Sequence, residues 1–187
     1  PFFIFLAIIA AGFVFSFLIS LGYYPIAVVE NDIIMSREFR KNYVAASTYY
    51  SNLLKNRGGE AVPGEAKLGE ADLELAVFDR LIEKAMIHAA LYKELGKDAN
   101  SIVESRIDKF NEDAELKKAA PVVYGFNFDD FKNEILIPQA EWDILSGRLF
   151  LKGENIEDWL QRAKQEGRVN ILSGQFYWDG TGVKVKQ

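Results

Sequence analysis

Few side chains in this chain of 187 residues could carry out chemistry. It has no cysteine and one histidine, His88, which excludes disulfides, thiolate metal sites, cysteine nucleophiles and any site built from two imidazoles. A catalytic histidine needs a positioned partner, and the only candidates near it in the sequence are Glu83 and Lys84. We therefore expect His88 to be an exposed surface residue, which leaves carboxylates as the main route to catalysis.

Two acidic motifs could supply such carboxylates. Asp129 and Asp130 could form a metal site or an acid–base pair, but acidic residues in the first turn of a helix commonly stabilise the helix dipole, and we predict that role. Asp179-Gly-Thr-Gly182 is similar to the triplet of aspartic proteases, whose chemistry needs two opposed carboxylates. The chain has one copy, so we predict a hairpin turn. The sequence thus predicts no catalytic residue, no cofactor and no metal.

The N-terminal segment indicates a membrane. Residues 2–21 are apolar except for Gly12, Ser16 and Ser20, and no residue before Glu30 is charged. About twenty residues at a helical rise of ~1.5 Å span ~30 Å, the thickness of the hydrocarbon core of a bilayer. We predict a transmembrane anchor over residues 1–25, with a cleaved signal peptide as the alternative. The protein would be single-pass, with its remaining residues on the periplasmic or cell-surface side.

The remaining residues, 26–187, are predicted to form one helical domain. Its short β-type runs and its helical apolar spacings predict a mostly α fold with five or six helices, short strands and a C-terminal β-hairpin. Residues 57–70 hold several glycines and are predicted to be a loop. The net charge of −5 argues against nucleic acid as a partner.

Local signals predict where helices begin and end. Ser101 and Glu104 have the spacing of a capping box, and Asn127 and Asn155 are predicted N-caps. Pro121 is predicted to end the polar stretch that precedes it.

Five segments, in this order, resemble the SurA/PrsA/PpiD family of chaperones. Residues 27–39 resemble the family's strand, polar turn, second strand and capped helix, which follow a signal or an anchor. Residues 78–96 are similar to its long central helix, 102–110 to the next short helix, and 124–132 to its glycine-then-capped-helix element. Residues 158–172 resemble the C-terminal helix and strand that return to the N-terminal lobe. The resemblance implies the SurA N-terminal-like chaperone lobe, in which a small sheet joins strand 26–29 to strand 169–172.

One departure from that family bears on function. A parvulin-type prolyl isomerase domain usually lies between the last helix of the lobe and the returning helix, but here only about residues 151–155 occupy that position. We therefore expect an ATP-independent chaperone for unfolded or exported polypeptides, without the isomerase. A structural or assembly subunit with one fixed membrane partner, or a true prolyl isomerase, are the alternatives. The oligomeric state stays open.

A chaperone needs an apolar surface that stays accessible to clients. Aromatic residues are concentrated in the C-terminal half of the chain, and we predict that some of them line an open concave surface. The candidate client-binding residues are Phe126, Phe128, Trp142, Phe150, Trp159, Phe176 and Trp178.

Overall fold

The computed structural model describes residues 12–13, 16–56 and 69–186. Over these residues the fold is mostly helical with a small antiparallel sheet, which confirms that the domain is mostly α. The α-helices are α1 (Ser36–Asn56), α2 (Glu70–Leu95), α3 (Ala99–Asn111), α4 (Ala114–Tyr124), α5 (Phe128–Phe131), α6 (Ile137–Leu151) and α7 (Ile156–Glu166). The strands are β1 (Pro25–Val29), β2 (Asp32–Met35), β3 (Val169–Ile171), β4 (Phe176–Trp178) and β5 (Val183–Val185). The predicted loop falls almost entirely on residues 57–68, which lie outside the described part of the chain.

The first three strands join the two ends of the domain. Their order is β2-β1-β3, with both pairings antiparallel. Ala27 lies opposite Ile171, and Val29 lies opposite Val169, so the predicted pairing of the N-terminal and C-terminal strands is confirmed. The tail forms a separate two-stranded hairpin of β4 and β5, and its turn is the predicted Asp179 motif, with Asp179 Oδ1 accepting from the Thr181 and Gly182 amides at 2.8 and 2.9 Å.

Helix α2 is the centre of the domain because its apolar residues serve two cores. Phe78 and Ile82 pack with β1, β2, α7 and the hairpin in one cluster, whereas Leu91 packs with α3 and α6 in a second. Each of these three side chains is at most 1% exposed, and fully burying one such side chain contributes about 1.5–3 kcal/mol. A third cluster lies between α1, α4 and α5.

The predicted helix boundaries are confirmed at two asparagines and wrong at two other positions. Asn127 and Asn155 each accept a backbone N–H at 2.8 Å as N-caps. Ser101 is not a cap, because α3 already begins at Ala99. Pro121 lies inside α4 and does not end it; the helix ends at Gly125, whose φ of 72° lets its N–H return to the Pro121 carbonyl at 3.0 Å.

A π-helical segment, Lys132–Leu136, links α5 to α6 without a break. Pro138 follows it at the second position of α6. In a regular α-helix the proline ring would clash with the carbonyl four residues earlier, that of Glu134. The wider π turn accommodates the proline, so Pro138 coincides with a local widening of one long helix.

Residues 16–20 are helical and lead into the folded domain. Among the described residues, which leave out 1–11, 14 and 15, no helix is both long and apolar enough to cross a bilayer. Much of the predicted anchor lies outside the described residues.

Candidate functional site

A groove of about 1010 Å³ opens beside the paired ends of the domain. Its walls are the β1–β2 turn, the second half of α2, α6 and α7. The apolar part of its lining includes Met86, Leu145, Leu149 and Trp159, and charged side chains lie among them. An apolar lining with a few polar groups is the usual character of a ligand-binding groove.

His88 lines this groove and is held by a buried carboxylate. Its Nδ1 lies 2.8 Å from Oε1 of Glu141, which projects from α6. Because a carboxylate accepts hydrogen bonds, Nδ1 carries the proton. The hydrogen bond to Glu141 raises the pKa of His88, and it outweighs the opposing effect of partial burial. The second ring nitrogen, Nε2, has no hydrogen-bond partner in the described part of the chain.

The expectation for His88 is therefore correct in its partial exposure and wrong in that a buried carboxylate holds the ring. Its side chain is 38% exposed, and that of Glu141 is 2% exposed. The sequence did hold a signal for this contact, because Glu141 lies four residues from both Ile137 and Leu145, on the apolar face of its own helix. A charged residue on such a face is almost never fully buried unless it is paired.

A second buried carboxylate is held by Lys84, which lies one turn before His88 on α2. Glu134, in the π segment, is 8% exposed at its side chain and accepts from Lys84 Nζ at 2.9 Å and from Asn42 Nδ2 at 3.1 Å. Lys84 also contacts Glu38 at 3.0 Å. Burial alone would raise the pKa of Glu134, but the nearby lysines outweigh it and hold that pKa below its usual value. This network ties α1 and α2 to the π segment.

One wall of the groove is formed by Glu30, at the turn between β1 and β2. Glu30 has a φ of 54°, which is uncommon for a residue with a side chain. Its N–H donates to the Arg168 carbonyl at 2.8 Å, and its carboxylate accepts from the Arg168 N–H at 3.0 Å and from Arg168 Nη2 at 3.2 Å. A single residue thus fixes the junction of the domain's two ends beside the groove.

The charged residues of the groove are only partly paired. Glu94 accepts from Arg148 at 2.9 Å and from Lys152 at 2.8 Å, whereas Asp32 and Glu166 make no ion pair within the described ranges. The groove thus offers an apolar floor, one ring nitrogen and unpaired carboxylates. No cluster of three or more acidic or histidine side chains suited to a metal ion was found among the described residues.

The seven aromatic residues proposed from the sequence do not form one surface. Phe126 and Phe176 are buried in two different cores, and Phe128 and Trp178 pack against those same cores. Trp159 lines the groove, Trp142 lines a smaller pocket of about 320 Å³ beside α2, and Phe150 is 78% exposed at the end of α6. Contact of a client with Phe126 or Phe176 would require a core to open, and a binding role for the other five stays a prediction.

Comparisons of this chain with protein-family models, with curated proteins and with solved structures found no match.

Proposed function

We propose that this protein is a membrane-anchored, ATP-independent chaperone that holds unfolded or exported polypeptides outside the cytoplasm. It would correspond to the chaperone lobe of a SurA/PrsA/PpiD-type protein without the isomerase domain. The observation that carries the proposal is the groove beside the paired β1 and β3 strands, where both ends of the domain contribute to the lining.

The composition of the groove supports a polypeptide as its occupant. Its volume of about 1010 Å³ is at the upper end of the range of small-molecule pockets, ~300–1,000 Å³. Trp159 adds a large apolar contact, and His88 Nε2 can hydrogen-bond to a peptide backbone whatever the client sequence.

The connection between α6 and α7 supports a chaperone without isomerase activity. Residues 152–155 form this turn, in which Gly153 has a φ of 77° and its N–H returns to the Phe150 carbonyl at 2.9 Å. No domain is inserted at the position where the family usually carries one. The only histidine of the chain lies on α2, bound to Glu141.

The proposal is tested with the full chain in mild detergent. An unfolded exported protein, the client, is diluted from urea, and its aggregation is followed by light scattering. We expect the full chain, near-equimolar to the client and without ATP, to suppress the aggregation of several unrelated clients. No suppression for any client would overturn the chaperone function. Binding to a single protein would favour an assembly subunit, and acceleration of proline-limited refolding at catalytic amounts would favour an isomerase.

A further inference from the structure

The apolar N-terminal segment ends at a well-defined helix stop. Gly22, with a φ of 80°, donates its N–H to the Ile19 carbonyl at 2.9 Å, and Tyr23 donates to the Leu18 carbonyl at 3.0 Å. This pair of bonds is a Schellman motif. The apolar side chains before it, Phe17 among them, are exposed to solvent in the isolated chain.

The helix stop is joined to the folded domain by backbone hydrogen bonds. The Arg37 N–H donates to the Gly22 carbonyl at 3.0 Å, and the Ser36 N–H donates to the Tyr24 carbonyl at 2.9 Å. The first turn of α1 therefore lies directly at the end of the apolar segment. A bilayer that takes up this segment would have the start of α1 at its headgroup level.

Two arginines of α1 lie at this junction. Arg37 donates to the Tyr23 hydroxyl and lies 5.0 Å from the centre of that ring, and the Arg40 guanidinium lies against Gly22. Both arginines are exposed, and neither pairs with a carboxylate in the described residues. Tyr23 and Tyr24 are also exposed, and tyrosine is enriched at the headgroup level of membranes.

We propose that Arg37 and Arg40 bind the phosphates of anionic phospholipids at the bilayer surface and hold the domain there. The inference rests on the proposed membrane anchor. The guanidinium group matches phosphate geometry, and the exposed apolar segment one turn away makes the bilayer, not a soluble anion, the source of that phosphate. The anchor would set the depth of the domain, and the arginines would select the lipid.

The test uses the full chain reconstituted in vesicles of phosphatidylcholine with one quarter phosphatidylglycerol. The protein is extracted in mild detergent, and its retained phospholipids are identified by native mass spectrometry. We expect phosphatidylglycerol to be enriched over its share in the vesicle. Arg37→Gln and Arg40→Gln should each lower the enrichment about fivefold. The lysine variants Arg37→Lys and Arg40→Lys keep the charge but lose the planar guanidinium, and should retain the enrichment only in part.

The control variant is Arg80→Gln, which removes an exposed arginine of α2. Carbonate extraction of the same vesicles separates the two proposals. Protein that resists carbonate but retains no excess phosphatidylglycerol, or loses none of it in the glutamine variants, would overturn the lipid-binding inference alone. Release of the wild-type chain by carbonate would overturn the anchor and this inference with it.

Discussion

Replacement of His88 by alanine is expected to destabilise the fold by leaving Glu141 buried without its partner. Breaking a buried ion pair by removing one partner commonly costs about 3–5 kcal/mol. His88 itself is 38% exposed, so water can enter beside the carboxylate once the imidazole is gone. We therefore expect a loss just below that range, about 2–3 kcal/mol, which is still larger than the effect of an ordinary surface substitution.

Urea unfolding of the full chain in mild detergent, followed by tryptophan fluorescence, measures this loss. For a slope near 2 kcal/mol per molar, about 3 kcal/mol moves the midpoint down by about 1.5 M. The control is the double variant His88→Leu with Glu141→Leu, which removes both charges together and should stay within about 1 kcal/mol of the wild type. A His88→Ala variant within 0.5 kcal/mol of the wild type would show that Glu141 is not held by His88.

The same pair predicts a pH dependence with a definite sign. The pKa of His88 is raised above its ordinary value of 6.5, chiefly by the hydrogen bond to Glu141. The stabilisation is therefore fully present below about pH 6.5 and is lost as the pH rises through the pKa of the folded protein. Glu141→Gln removes the carboxylate and should flatten the profile above pH 6.5, and an unchanged slope in that variant would contradict the assignment.

Three further substitutions test other parts of the structure. Glu30→Ala removes the carboxylate bonds across the strand junction and should cost about 1–3 kcal/mol. It should also speed hydrogen exchange of the Leu172 amide, which donates to the Ile26 carbonyl at 2.8 Å in the same junction; unchanged exchange would contradict its role. Asp79→Ala removes the acceptor of the Val183 N–H at 2.7 Å and should expose the C-terminal hairpin to limited proteolysis, whereas Asp79→Asn should protect it. Trp159→Leu should weaken suppression of client aggregation, and equal activity would argue against the groove.

The local rules of the sequence predicted much of the backbone. Asn127 and Asn155 each lie just before a helical apolar pattern. Each has a side-chain oxygen that can accept a backbone N–H of the first turn, so both could be predicted as N-caps. The pairing of β1 with β3 was predicted from a resemblance in element order and is confirmed. Pro121 was misjudged because its missing N–H removes only one bond from α4, and Gly125 supplies the helix end four residues later.

The candidate site depended on tertiary contacts that no local pattern contains. His88 and Glu141 are 53 residues apart in sequence, so their contact requires the packing of α2 on α6. The aromatic residues were grouped by their density in the C-terminal half, but that density mainly fills two cores around Phe126 and Phe176. Composition alone does not distinguish an aromatic residue that seals a core from one that lines a groove, such as Trp159.

Site-directed photocrosslinking tests the central claim most directly, because the chain has no cysteine of its own. A thiol-reactive benzophenone is attached to a single introduced cysteine. Ala89→Cys places it in the groove, and Tyr177→Cys places it on the exposed face of the hairpin. With an unfolded exported protein as client, we predict strong crosslinking from position 89 and little from position 177. Crosslinks that are equal at the two positions, or absent from position 89, would contradict a client-holding groove.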